Sequence, residues 1–117
     1  MNTYYYNIKI TSSQKNQGYV EGTIDDYAWF AILHEEPMET GINQNTLERG
    51  VGRVTRLCIF KDSSSVEGNP YLPSLSIKRL IFANYQHEWS ILNSSYKEMV
   101  RELIAYLERR GTLKVLK

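Results

Sequence analysis

Arginines and aromatics are the residues here whose types and spacing can do chemistry. Arg49, Arg53 and Arg56 surround a Gly50-Val51-Gly52-Arg53 turn. Glycines let backbone N–H groups approach an anion, and Arg53 and Arg56 can clamp a phosphate bidentately. The same stretch also reads as a hairpin or bulge entry with solvated arginines. It is not a dinucleotide fingerprint, because it precedes a strand rather than a helix and lacks the third glycine at the required spacing. A second cluster runs Phe82-Ala83-Asn84-Tyr85-Gln86-His87-Glu88-Trp89. Its aromatics can stack on a base and Asn84 can read a base edge, although aromatics in strands also serve as core. The third candidate is Arg109. Its neighbours three and four residues back are Tyr106 and Ala105, so no intrahelical carboxylate pairs with it. Arg109 and Arg110 then either complement the negative end of a helix dipole or hold a ligand phosphate.

Catalysis finds little support. His34 and His87 are far apart in sequence, with no HExxH and no ligand cluster at metal spacing. His34-Glu35-Glu36 reads as a solvated loop. There is no nucleophile elbow, and Cys58 lies mid-strand between apolar neighbours, the place of an inert thiol. Asp25-Asp26 is explained by a turn. The sequence therefore points to a binding protein with no catalytic residues, no metal and no cofactor.

Short strands must position these groups. Tyr4, Tyr6, Ile8 and Ile10 alternate with Tyr5, Asn7, Lys9 and Thr11 as a first strand, and Ser12 to Gly18 reads as a turn. Gly18 to Ile24 and Tyr27 to Leu33 form a hairpin about Asp25-Asp26. Trp29 and Phe30 point to opposite faces of the second run, so that strand is central or covered twice. Glu35 to Asn45 contains Pro37 and Gly41 without periodicity and reads as a loop. Arg53 to Phe60 is a strand, Lys61 to Ser74 a flexible insertion, and Ser76 to Asn84 a strand with Leu80 and Phe82 on one face and Ile81 and Ala83 on the other. Tyr85 to Glu88 makes a bend and Trp89 to Leu92 a short strand. Tyr96, Met99, Val100, Leu103, Ile104 and Leu107 then fall on one face of a helix from Ser95 to Arg110. Ser95 and Glu98 form a capping box worth about 1 kcal/mol, and Gly111 closes the helix. Thr112 to Lys117 pairs as an edge strand or frays. The expected architecture is a single α+β domain over residues 1–117, an antiparallel sheet of about five or six strands followed by one C-terminal helix.

The 117 residues are 42% hydrophobic and 23% charged, the balance of an ordinary folded domain. One cysteine allows no intrachain disulfide and suits a reducing cytosol. No apolar run reaches the ~18 residues of a membrane span, and the N-terminus lacks a secretion pattern. Net charge is +1, which argues against a general nucleic-acid coat, but its distribution is uneven. Residues 1–48 hold two lysines against seven acidic residues, net −5, while residues 49–117 hold twelve basic against six acidic, net +6. Such a split attracts an anion to one face or joins protomers. One helix covers one sheet face, so the aromatics available for both faces predict a homo-oligomer.

The element order, the Gly-x-Gly-Arg-Val-Thr-Arg turn, the Phe82 strand and the arginine-ended helix resemble the phage anti-Thoeris proteins of the first type. The resemblance spans most of residues 18–110. It implies an oligomeric, non-catalytic sponge in the host cytoplasm that captures cyclic ADP-ribose messengers made by TIR-domain enzymes, with Phe82 stacking on adenine and Arg109 holding phosphates. It also implies a separate cyclic-trinucleotide site, for which the Gly50 to Arg56 turn is the candidate. The alternative is a protein-binding anti-CRISPR or anti-restriction inhibitor whose polarised surface contacts a host protein.

Overall fold

Period-two runs rich in β-branched and aromatic residues build six strands: β1 (Ile8–Gln14), β2 (Tyr19–Ile24), β3 (Tyr27–Ile42), β4 (Arg49–Ser64), β5 (Ile77–Gln86) and β6 (Trp89–Leu92). In this computed structural model, which describes residues 6–14, 18–64 and 77–115, the strands form one antiparallel sheet in chain order, β1-β2-β3-β4-β5-β6. A 3-10 turn (Ser94–Tyr96) leads into helix α1 (Lys97–Val115). The fold is α+β, as the sequence predicts. No helix among the described residues is long and apolar enough to cross a membrane.

The β2–β3 hairpin turns where expected. Asp25 adopts φ 53°, a left-handed conformation that aspartate tolerates. Its carboxylate accepts from Asn7 N at 2.8 Å, and its own N–H donates to Asn7 O at 2.8 Å, so the turn also anchors the entry to β1.

The helix stripe packs as its periodicity requires. Met99, Val100, Leu103, Ile104 and Leu107 are buried against Ile24, Trp29, Ala31, Leu57, Ile59, Ala83 and Tyr85. The outer end of the β3–β4 hairpin is tied to the same core. Tyr85 OH donates to Thr40 O and Gly41 O at 2.9 and 2.7 Å, and Trp89 Nε1 donates to Leu47 O.

Several local expectations are corrected. The loop expected at Glu35 to Asn45 is largely the outer half of β3. Register shifts between Leu33 and Met38 and between Met38 and Gly41 absorb the donor that Pro37 lacks. Gly41 and Gly52 let the two backbones approach so closely that a Cβ on either would collide with the opposing chain. His34 is accordingly not a loop residue. It is half-buried on β3, with Nε2 2.8 Å from Thr55 Oγ1. Ser12 to Gln14 continue β1 rather than turn, and Lys61 to Ser64 continue β4. Residues 1–5, 15–17 and 65–74 lie outside the described residues, and with them the rest of those expected segments.

The helix also differs at both ends. Ser95 lies inside the 3-10 turn that precedes the helix, and Asn93 caps that turn, its Oδ1 accepting from Ser95 N at 2.9 Å. Glu98 instead meets Arg101 Nη1 at 3.3 Å. Gly111 does not end α1, which runs on to Val115, so the expected edge strand is helical as far as it is described. An unbroken hydrogen-bonded helix outweighs the roughly 1 kcal/mol cost of an interior glycine. In β5, Phe82 and Ala83 both face the helix rather than opposite sides. A bulge places Ile59 against Ala83 and Phe60 against Ile81, leaving Phe82 as the extra residue.

Candidate functional site

The strands that bury Leu57, Ile59 and Tyr85 under the helix must present their alternate residues on the other side. Cross-strand register defines one row there, Ser12, Glu21, Phe30, Cys58, Asn84 and Ile91, running across all six strands. Flanking rows add Tyr19, Ile32 and Arg56 on one side, and Ala28, Phe60 and Ile81 on the other. No element among the described residues covers this face, and Ile81 and Ile91 are 38% and 39% exposed.

Three aromatic rings form a line along it. Tyr19 and Phe30 stack with centroids 6.1 Å apart, and Phe30 and Phe60 are tilted at 5.9 Å. Two guanidiniums lie on these rings, Arg56 5.0 Å over Phe30 and Arg79 3.9 Å over Phe60. Their polar partners differ. Arg79 makes two bonds to Asp62, Nε to Oδ1 at 2.8 Å and Nη2 to Oδ2 at 3.1 Å. That pairing pulls the Asp62 carboxyl below its usual value and raises Arg79. Arg56 Nη1 instead donates to neutral oxygens, Asn84 Oδ1 at 2.7 Å and Tyr85 O at 3.2 Å. No carboxylate among the described residues pairs with it. Asn84 is held in turn, its Nδ2 donating to Ser90 Oγ at 2.8 Å. Arg56 is thus a planar cation fixed by a ring and an amide, with N–H groups left for an anion. Between them Cys58 is buried, and burial pushes its thiol up, matching the inert role expected of it.

The other candidate residues are dispersed. Arg53 is neither solvated nor open to a ligand. It is 9% exposed, with Nε donating to His34 O at 2.9 Å and Nη1 to Glu108 O at 2.8 Å, while its backbone N–H meets Glu108 Oε2 at 3.0 Å. It rivets α1 to the β3–β4 hairpin. Phe82 is half-buried on the helix side, tilted on Tyr96 at 4.7 Å and edge-on to Tyr27 at 5.2 Å. Tyr27 OH and Tyr96 OH are 3.0 Å apart, and Lys61 Nζ lies 4.9 Å over the Tyr27 ring. Arg109 is exposed on α1, thirteen residues beyond Tyr96. At 1.5 Å per residue the two are separated by about 20 Å along the helix, so Phe82 and Arg109 of one chain do not share a small ligand.

The structure brings together only Arg56 and Asn84 of the residues chosen from sequence. Phe30, Phe60 and Arg79 were not chosen. The signal for the first two was present, since β4 alternation puts Arg56, Cys58 and Phe60 on one face and Phe30 opposes Cys58. Among the described residues no group of three or more His, Cys, Asp or Glu can hold a metal ion. No family model, no curated protein and no solved structure matches this chain. The resemblance to anti-Thoeris proteins therefore stands on the residues quoted for it alone.

Proposed function

We propose that this chain is a non-catalytic binding protein that captures a phosphorylated nucleotide, of the cyclic ADP-ribose messenger class, and sequesters it intact. The observation that carries this reading is Arg56, stacked on Phe30, hydrogen-bonded to Asn84 and paired with no carboxylate among the described residues. A phosphate takes the free guanidinium N–H groups, the Tyr19 and Phe30 rings offer a stacking surface, and Ser90 keeps the Asn84 amide oriented. Nothing in this grip requires a general base or a metal. Phe82 and Arg109 enter the reading as a second contact set, one that needs two chains to meet.

Thermal shift and calorimetry against ADP-ribose, cyclic ADP-ribose isomers and cyclic trinucleotides test it. Ligand at a hundredfold excess over Kd stabilises by about 2.7 kcal/mol, a Tm rise of several degrees for a chain of this size. Arg56→Ala is expected to weaken binding at least tenfold while the far-ultraviolet spectrum is unchanged. Heating the complex must return the nucleotide intact, and recovery of a hydrolysed product sinks the sponge reading in favour of an enzyme. Unaltered affinity in Arg56→Ala moves the site to Phe82 or Arg109.

A further inference from the structure

We infer that Glu21 sets the specificity of the Arg56 site, and that the unit it selects is a ribose 5′-phosphate whose 2′,3′-diol is free. This rests on the nucleotide reading above and narrows it to one substrate class. Glu21 lies on the open face of β2, half-buried and directly across from Phe30. Side chains so opposed stand about 4.5–5.5 Å apart at Cβ. Arg56 covers the same ring, 5.0 Å from its centroid. One aromatic ring is thus bordered by a guanidinium and a carboxylate, and the two form no ion pair with each other.

Hydrogen bonding determines which groups remain for a ligand. The Asn84 amide is engaged at both ends, Oδ1 by Arg56 and Nδ2 by Ser90. Glu21 is engaged at one oxygen only, where Oε1 accepts from Tyr19 OH at 2.8 Å. Burial first, and then this bond, push the Tyr19 phenol above its ordinary value, so the phenol keeps its proton and donates it. Glu21 Oε2 has no partner among the described residues, and Lys9, one position away in the register opposite Thr23, makes no ion pair with it. Tyr19 also stacks on Phe30 at 6.1 Å. Its ring and its hydroxyl together hold the carboxylate at the edge of the Phe30 surface.

An ionised carboxylate only accepts. The ligand atoms that meet it are therefore hydroxyls or amines, never phosphate oxygens. With a phosphate on Arg56, Glu21 lies one ring-width further on, the span of a sugar rather than of a whole nucleotide. A ribose cis-diol offers two adjacent O–H donors to the fork of the carboxylate, and such charge-assisted bonds are the strong ones. The same charge rejects a second phosphate on the sugar, because like charges brought together are costly. A 3′,5′-linked cyclic oligonucleotide carries a phosphodiester where Glu21 requires a hydroxyl, whereas ADP-ribose carries its phosphates on the 5′ oxygens.

Calorimetry of the full chain with AMP, 2′,3′-dideoxy-AMP and adenosine 3′,5′-bisphosphate tests this. AMP is expected to bind, and each of the other two to bind about tenfold more weakly or worse. Glu21→Gln keeps an oxygen for the Tyr19 hydroxyl and removes the charge. It is expected to weaken AMP about tenfold while strengthening the bisphosphate, a gain that a folding defect does not produce. Equal affinity for AMP and its dideoxy analogue overturns the inference and leaves the nucleotide reading standing. So does a Glu21→Gln chain that keeps the selectivity of the unaltered one, or binding of ADP-ribose without any binding of AMP. If AMP, ADP-ribose and cyclic ADP-ribose all fail to bind, the inference and the nucleotide reading fall together.

Discussion

The two faces of the one sheet are built from adjacent residues of the same strands, yet they are stabilised in different ways. On β4, Leu57 and Ile59 are fully buried under α1, while Arg56 and Phe60, which flank them in the chain, are only half-buried. The covered face is closed by apolar volume: Val100, Leu103, Ile104 and Leu107 leave no exposed surface. One cost is visible there, since the buried indole N–H of Trp29 has no acceptor among the described residues, a loss of about 1–3 kcal/mol that the surrounding burial must outweigh. The open face relies on stacked rings and hydrogen-bonded guanidiniums, which fix geometry without excluding water. The covered face therefore sets stability, and the open face is free to be shaped by a ligand or a partner.

The largest expected effect breaks this comparison most directly. Leu103→Ala removes fully buried volume and is expected to cost about 2–5 kcal/mol by urea denaturation. Ile91→Ala, on the open face, is expected to change stability by less than about 0.5 kcal/mol. Comparable losses at both positions erase the distinction between the faces.

The covered face was the legible one. The Tyr96 to Leu107 stripe and the Asp25-Asp26 turn follow from local periodicity and a left-handed aspartate, and both stand. What was hidden depends on pairing between distant residues. Pro37 and Gly41 read as loop because nothing in Glu35 to Asn45 announces that Gly52 lies across the hairpin to receive it. Arg53 read as a solvated or phosphate-binding cation because its partners, His34 O and Glu108 O, are backbone carbonyls on two other elements. Phe82 changed face through a bulge that alternation alone does not reveal. Arg56 and Asn84 were chosen for their types, but only register shows that they touch.

A smaller effect sharpens the comparison at its boundary. Tyr85 belongs to the covered face, yet its hydroxyl holds two β3 carbonyls, Thr40 O and Gly41 O. Tyr85→Phe is expected to cost about 1–2 kcal/mol with packing otherwise kept. Burial, ahead of the nearby charges, raises the phenol above its ordinary value of 10.0. The neutral form is thus the native one. The stability it contributes is fully present below the unfolded pKa of about 10 and is lost as pH rises from there through the folded value. The wild-type chain should lose stability more steeply than Tyr85→Phe in alkaline denaturation curves, and parallel curves remove the hydroxyl from the argument.

The smallest expected effect lies on the open face, at Asp62 and Arg79. Their two hydrogen bonds are well formed, but the side chains are 37% and 48% exposed, and exposed pairs gain little in water. Hydrogen bonding to Arg79 lowers the Asp62 carboxyl from its ordinary value. Its contribution is present above the unfolded pKa of about 3.9 and is lost as pH falls through the lower folded value. Asp62→Asn should leave the urea midpoint at neutral pH within error, while the Asp62 carboxyl carbon of the unaltered chain titrates below the ordinary aspartate range by NMR. Arg79 also lies on the Phe60 ring, a contact that Asp62→Asn retains and Arg79→Ala removes. A loss of stability with Arg79→Ala that Asp62→Asn does not share therefore assigns the arginine's contribution to the ring contact rather than to the ion pair. A large destabilisation by Asp62→Asn would mean that the open face, too, holds the fold together, and the contrast between the two faces would fail.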